Sequence, residues 1–257
     1  MQFGVCGDAG MAEAAAKAGF DFVEGTVGKL LKPRESRDAF RVALEAVRAA
    51  GLPCPVVNCF VPGDLKITGP EADPGKLRDY VTATFDRAGQ AGVEVVVFGS
   101  GGARQIPDGF SREAAHGQLV AFCSMAGPIA SDNGVTIAVE PLHRPDCNVL
   151  TSVSETAALV EDVAHPAVRL LADSYHLFLE EASCEAVARH AGLLAHVHVA
   201  TVPNRLVPGA EPCALDAFFE ALRQGGYAGR ISIEARITDP AAELPAALSA
   251  LRSLAAE

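Results

Sequence analysis

Short apolar runs alternate with longer segments whose apolar residues recur every third or fourth position, and the pair repeats eight times along the chain. The runs lie near residues 2–6, 22–25, 56–60, 93–98, 135–140, 168–173, 194–199 and 230–234. They are rich in Val and Ile and nearly continuous in hydrophobicity, which predicts parallel strands covered on both faces. The longer, Ala-rich segments predict helices near 10–19, 36–50, 74–91, 111–133, 153–163, 181–190, 214–225 and 240–255. Gly19, Gly51, Gly92, Gly192 and Gly225 follow helical runs, as helix termination favours. Pro74 and Pro240 open helices, where a missing N–H is tolerated. Eight strand–helix units without a linker predict an α/β fold, one (β/α)8 TIM barrel occupying residues 1–257 as a single domain. A doubly wound open sheet fits less well, because no G-x-G-x-x-G follows the first strand.

The last four strands each close on a polar side chain. TIAVE ends at Glu140, VRLLAD at Asp173, LAHVH at His198 and ISIE at Glu234. Side chains alternate along a strand, so Ala138 shares a face with Glu140, His196 with His198, and Ser232 with Glu234. Bulky aliphatics then face the helices, and the polar set faces the bore. Barrel sites are built at the C-terminal strand ends, so the four side chains are expected to converge. Two Glu, one Asp and one His make an oxygen-rich set with a single nitrogen. That set predicts one divalent metal ion, Mn2+ foremost, with Mg2+, Co2+ or Zn2+ also compatible; a soft metal would need thiolates. Without a cation, several charges would crowd a partly dry pocket at a high cost. His196, one layer deeper, is expected to support the site by hydrogen bonding. Asn58 and Glu24 end strands three and two and are expected to line the pocket. His143, Arg144, His176 and Arg205 place imidazole and cationic donors at the mouth, suited to a polyhydroxylated ligand. The GSGG run at 99–102 is either a flexible turn or an anion cradle. Tyr175 and Phe60 either pack on sugar C–H faces or fill the core.

Composition narrows the partners. A net charge of −11 argues against duplex nucleic acid, which needs a basic face. With 49% hydrophobic and 21% charged residues, the chain can bury a large core. No apolar stretch is long enough for a membrane, and the start MQFGVCGDAG lacks signal-peptide features, so a cytoplasmic protein is expected. Seven scattered cysteines without C-x-x-C fit reduced thiols. A homo-oligomer is compatible with all of this.

The chain resembles the xylose isomerase-like TIM barrel superfamily, on the branch of ketose 3-epimerases and hydroxypyruvate isomerase-like enzymes. The resemblance spans nearly the whole chain. It rests on EPLHR (140–144), ADSYH (172–176), HVHVATVPNR (196–205) with PG at 208–209, and ISIE (231–234). NCFVPGDLKITGP (58–70) and VFGSGGARQIPDGFS (97–111) add to it. The resemblance implies that Glu140, Asp173, His198 and Glu234 hold one divalent metal. It implies that Glu140 and Glu234 also move protons on opposite faces of the substrate carbon, and that His176 and Arg205 hold oxygens of a small carbohydrate substrate. The chain departs from the ketose 3-epimerases in carrying His143 and Asp146 where they carry Asn and Glu, in Thr201 where Asp is common, and in having no Trp. His143 and Asp146 therefore belong to the expected pocket.

A proton beside a carbonyl is a poor acid in water, and a cation chelated by the carbonyl and a neighbouring hydroxyl stabilises the enediolate. A carboxylate base contributes about 10²–10⁴-fold. Return of the proton from the opposite face gives epimerisation, and return to the adjacent carbon gives aldose–ketose isomerisation. The expected activity is thus a metal-dependent sugar isomerase or epimerase. The alternative is a metal-dependent lyase, dehydratase or deglycosidase of a keto-sugar or ketocyclitol, with His143 as base rather than hydrogen-bond donor. An apurinic-site endonuclease would require several zincs, more His ligands and a basic face, and the presence of both glutamates disfavours a non-catalytic sugar binder.

Overall fold

Eight strands form where the apolar runs predict them: β1 (Gln2–Cys6), β2 (Phe22–Thr26), β3 (Val56–Asn58), β4 (Val95–Phe98), β5 (Thr136–Val139), β6 (Val168–Asp173), β7 (Leu194–Val199) and β8 (Arg230–Ile233). In this computed structural model, which describes residues 1–256, they close into a barrel in sequence order. Every neighbouring pair is parallel, including β8 against β1, so all strand C-termini open on one face.

The outer layer contains α1 (Ala9–Ala18), α2 (Arg37–Ala49), α3 (Pro74–Ala91), α4 (Gly101–Arg104), α5 (Arg112–Asp132), α6 (Val153–Val163), α7 (Ser174–Glu180), α8 (Glu185–His190), α9 (Leu215–Gln224) and α10 (Pro240–Ala256). Asp8, Ser36, Asp73, Ser111 and Ser152 each accept backbone N–H bonds at a helix start. Gly92, at φ 77°, ends α3 in a conformation that a Cβ disfavours. Three local features depart from the expected pattern. The helix expected over 181–190 forms only over Glu185–His190, and an additional helix, α7, begins directly at the end of β6, where Asp173 caps it. The four-residue α4 follows β4, and a π-helical turn over Val27–Leu31 follows β2. Glu140 and Glu234 each lie one residue past the last paired residue of their strands.

The apolar faces sort as period two requires. Leu170, Ala172, Val197, Ile231 and Ile233 pack outward against helices. Phe22, Val56, Val95, Val97, Ala138 and Leu171 pack together inside the bore. The expectation of a polar bore therefore holds only for its upper part. Gly4 admits the Phe22 ring, since a Cβ there would lie 2.3 Å from its Cε2. Burying such a ring is worth about 1.5–3 kcal/mol. Beneath it, at the strand N-termini, a cavity of about 320 Å³ is lined by Gln2, Asp21, Phe22, Arg48, Glu94 and Arg230. No helix among the described residues is long and apolar enough to cross a membrane.

Candidate metal centre and active site

Above the Phe22 layer, β5 to β8 bring Glu140, Asp173, His198 and Glu234 together, as their strand-end positions predict. His198 Nδ1 lies 3.0 Å from Glu140 Oε1, 3.1 Å from Glu234 Oε2 and 3.9 Å from Asp173 Oδ2. One donor atom from each of the four lies within 4.8 Å of all the others. The opposite ring nitrogen, His198 Nε2, is 2.9 Å from Glu24 Oε1. Glu24 Oε2 in turn is 2.8 Å from His196 Nε2, which also lies 3.1 Å from Ser232 Oγ. Glu24 is fully buried and anchors both histidines. It fixes the proton of His198 on Nε2 and aims Nδ1 at the carboxylates, the usual outer support of a metal-binding imidazole. Sequence reasoning placed Glu24 at the pocket but missed this role, which joins residues 174 positions apart.

The residues fit a hard divalent cation. Asp173 Oδ1 accepts the Tyr175 N–H at 2.7 Å, but Oδ2 is buried with no hydrogen-bond partner. An orphaned carboxylate oxygen is expensive unless something positive completes it. Burial pushes the nearby Cys6 thiol well up, which keeps it neutral and leaves oxygen and imidazole as the donors. Burial acts against a charge on His198, yet Glu24, Glu234 and Glu140 outweigh it and raise that imidazole well above its ordinary value. Burial raises Glu140. Burial works the same way on Glu234, but His198 and Arg205 outweigh it and hold that carboxyl below its usual range. A protonated His198 thus offsets, in the protein alone, negative charge that a divalent ion would balance.

Glu140 is set by the segment after β4. A Cβ on Gly99 would sit 2.3 Å from Glu140 Oε2, so only glycine leaves the carboxylate its place. Arg104, completely buried, donates to Phe98 O at 3.1 Å and to Glu140 O at 2.6 Å. The GSGG run is therefore a close-packed seat for Glu140, and Gly101 makes room for the Asp146 carbonyl in the same way. Sequence reasoning missed Arg104; its signal is an arginine set among glycines at a strand end.

Glu234 is set from the loop after β7. Arg205 Nη2 donates to Glu234 Oε2 at 2.8 Å, and its Nε donates to Glu234 O at 3.2 Å. The guanidinium also lies 4.7 Å from the centroid of the Tyr175 ring. Glu211 braces this loop by accepting from Thr201 Oγ1 at 2.5 Å and Asn204 Nδ2 at 2.7 Å.

At the mouth, His143 Nδ1 lies 2.8 Å from His176 Nδ1 and 3.3 Å from Asp146 Oδ2. Burial lowers the His143 pKa, more than Asp146 raises it. His176 Nε2 is 3.8 Å from Asp173 Oδ2. Asn58 is buried, with Nδ2 3.6 Å from Cys6 Sγ and Oδ1 unpartnered. Arg144 instead pairs with Glu180 and is largely exposed. Phe60 packs on Phe85, Phe98 and Phe122 and belongs to the core. All seven cysteines are free.

Known proteins match this architecture. The chain is 35% identical over 106 residues to the D-psicose 3-epimerase of Agrobacterium fabrum, covering 41% of this chain and 36% of that one. It is 30% identical over 161 residues to the L-ribulose 3-epimerase of Mesorhizobium japonicum, covering 62% of this chain and 52% of the other. The chain spans about half or less of the length of the first curated relatives it matches. Among solved structures, the D-psicose 3-epimerase of Clostridium cellulolyticum, described with D-tagatose, superimposes with a TM-score of 0.85 at 20% identity over 99% of both chains. That likeness speaks for the fold. Residues 12–254 match the family model described as xylose isomerase-like TIM barrel, and the chain belongs to that family.

Proposed function

We propose that this protein is a divalent-metal-dependent epimerase or isomerase of a ketose or related small carbohydrate, with Glu140 and Glu234 as the proton-moving pair. One observation carries the reading. Both carboxylates bracket the same His198 nitrogen, at 3.0 and 3.1 Å, while their surroundings push their pKa values apart, Glu140 up and Glu234 down. Paired carboxyls tuned in opposite directions are suited to giving and taking a proton. Glu140, Asp173, His198 and Glu234 hold the cation, for which Mn2+ is proposed. When bound, that ion supplies positive charge where the substrate oxygens gain negative charge. Arg205, His176, Asp146 and Asn58 bind and orient the sugar hydroxyls. Proton removal on one face by one glutamate and return on the other face by its partner inverts the carbon. The names of the matched 3-epimerases support this reading. A cytoplasmic location is proposed on the strength of seven unpaired thiols.

A ketose panel incubated with the protein in D2O tests it. Deuterium should enter at carbon beside the carbonyl, and chelation should stop it. Full activity in the metal-free sample would sink the proposal. A second reading is favoured by one feature: an imidazole, His143, stands in the pocket with its pKa lowered by burial, as a neutral base requires. In that case a keto-glycoside panel releases an aglycone or water, and His143→Ala abolishes the release.

A further inference from the structure

We infer that His176 sets the tautomer of His143, so that His143 carries its proton on Nδ1 and keeps Nε2 as its one free lone pair. The inference rests on His143 lying in the substrate pocket proposed above.

Three contacts fix the protons. The backbone N–H of His143 donates to His176 Nδ1 at 3.2 Å. That nitrogen must therefore hold a lone pair, so His176 carries its proton on Nε2, the atom 3.8 Å from Asp173 Oδ2. His143 Nδ1 lies 2.8 Å from the same lone pair. Two bare nitrogens would repel at that distance, so His143 Nδ1 must bear hydrogen. Asp146 Oδ2, 3.3 Å from His143 Nδ1, is a second acceptor facing the same N–H. The ring centroids lie 4.9 Å apart with planes only 28° apart. With the nitrogens much closer than the centroids, the rings meet edge to edge through a hydrogen bond and do not stack face to face.

The consequence is directional. Once Nδ1 is committed to His176 and Asp146, a neutral His143 can accept a hydrogen bond or a proton only at Nε2, which makes no hydrogen bond among the described residues. Free neutral imidazole side chains prefer the opposite tautomer, with hydrogen on Nε2. Without its neighbours His143 would present a donor where an acceptor is needed. His176 is thus a positioning residue for His143, besides offering its own Nε2–H to the pocket.

The test is a long-range 1H–15N correlation spectrum of 15N-labelled protein, metal-free and loaded with diamagnetic Mg2+. The His143 signals are assigned by their disappearance in His143→Asn. Wild-type His143 should show a protonated Nδ1 and a bare Nε2. His176→Phe should move the pattern toward protonated Nε2. His176→Asn, whose amide oxygen can accept the same N–H groups, should restore it. Protonated Nε2 on His143 in the wild type, or a pattern untouched by His176→Phe, overturns the inference. The wild-type spectrum decides the first point even if His176→Phe fails to fold. The readout is independent of turnover: failed deuterium uptake with the expected tautomer sinks only the functional reading, and uptake with the wrong tautomer sinks only this one.

Discussion

Glu140 and Glu234 are the same side chain at equivalent strand ends, and the fold holds them in different ways. In both cases an arginine caps the backbone carbonyl of the glutamate. On the Glu140 side that arginine is Arg104, fully buried, without a carboxylate partner, and the glycine at 99 leaves no spare volume. On the Glu234 side it is Arg205, borne on a loop, half-buried, and also paired with the carboxylate it positions. Packing fixes Glu140, and charge fixes Glu234. The first arrangement excludes water and raises a pKa; the second lowers one and stays near solvent. One device in two settings thus produces two glutamates of different character.

Removing either carboxylate gives the largest expected effect. Glu140→Gln and Glu234→Gln should each slow deuterium exchange into substrate by about 10²–10⁴-fold, the usual worth of a positioned acid or base. Loss confined to one variant would break the pairing. Gly99→Ala strikes the packed side alone. Its methyl must displace Glu140 Oε2, and misplacement on the order of 1 Å costs about 10²-fold; unchanged exchange kinetics would show that Glu140 is not held by volume. Glu24→Gln, beneath both glutamates, should weaken cation binding about 10–100-fold by calorimetry, as outer-shell changes do. The arginines sharpen the contrast further. Arg104→Met leaves the buried Glu140 carbonyl without its donor, at about 1–3 kcal/mol, while Phe98 O keeps the Glu140 N–H. Arg205→Met, removing a partly exposed pair, should cost under about 1 kcal/mol of stability. Urea unfolding of both variants measures the difference.

A further effect is one of pH. The His198 pKa is raised in the cation-free protein, so at pH values below it the Nδ1 proton must leave before an ion can bind. Cation affinity should rise with pH toward that pKa, by at most about tenfold per unit for one proton, and then level off. Calorimetry in buffers of different ionisation enthalpy should detect the released proton. Affinity independent of pH in the acid range would contradict the raised value.

The fold was legible because eight buried parallel strands leave continuous apolar runs, and because Asp, Ser, Gly and Pro punctuate the helices between them. The four side chains proposed to hold the cation were legible for the same reason: each ends a run whose period is known. What stayed hidden is nonlocal. Glu24 reaches His198 across the bore from β2 to β7, a pairing no local pattern encodes. Arg104 sits behind three glycines, so the segment reads as a flexible turn or an anion cradle, and only the approach of Glu140 from β5 reveals a seat. The start of α7 at Ser174 escaped because Asp173 both ends a strand and caps a helix, and an apolar run ending in an acidic side chain looks like a strand alone.

Phe22 has a bearing on how this barrel can change over generations. Its ring occupies the space that a side chain at Gly4 would need, so the two positions share one volume between adjacent strands. Enlarging Gly4 alone is a dead end, and shrinking Phe22 alone opens a hole between the polar upper bore and the cavity at the other end of the barrel. Descendants of this sequence can refit the floor of the site only by altering both positions, so the floor should drift far more slowly than the mouth around His143.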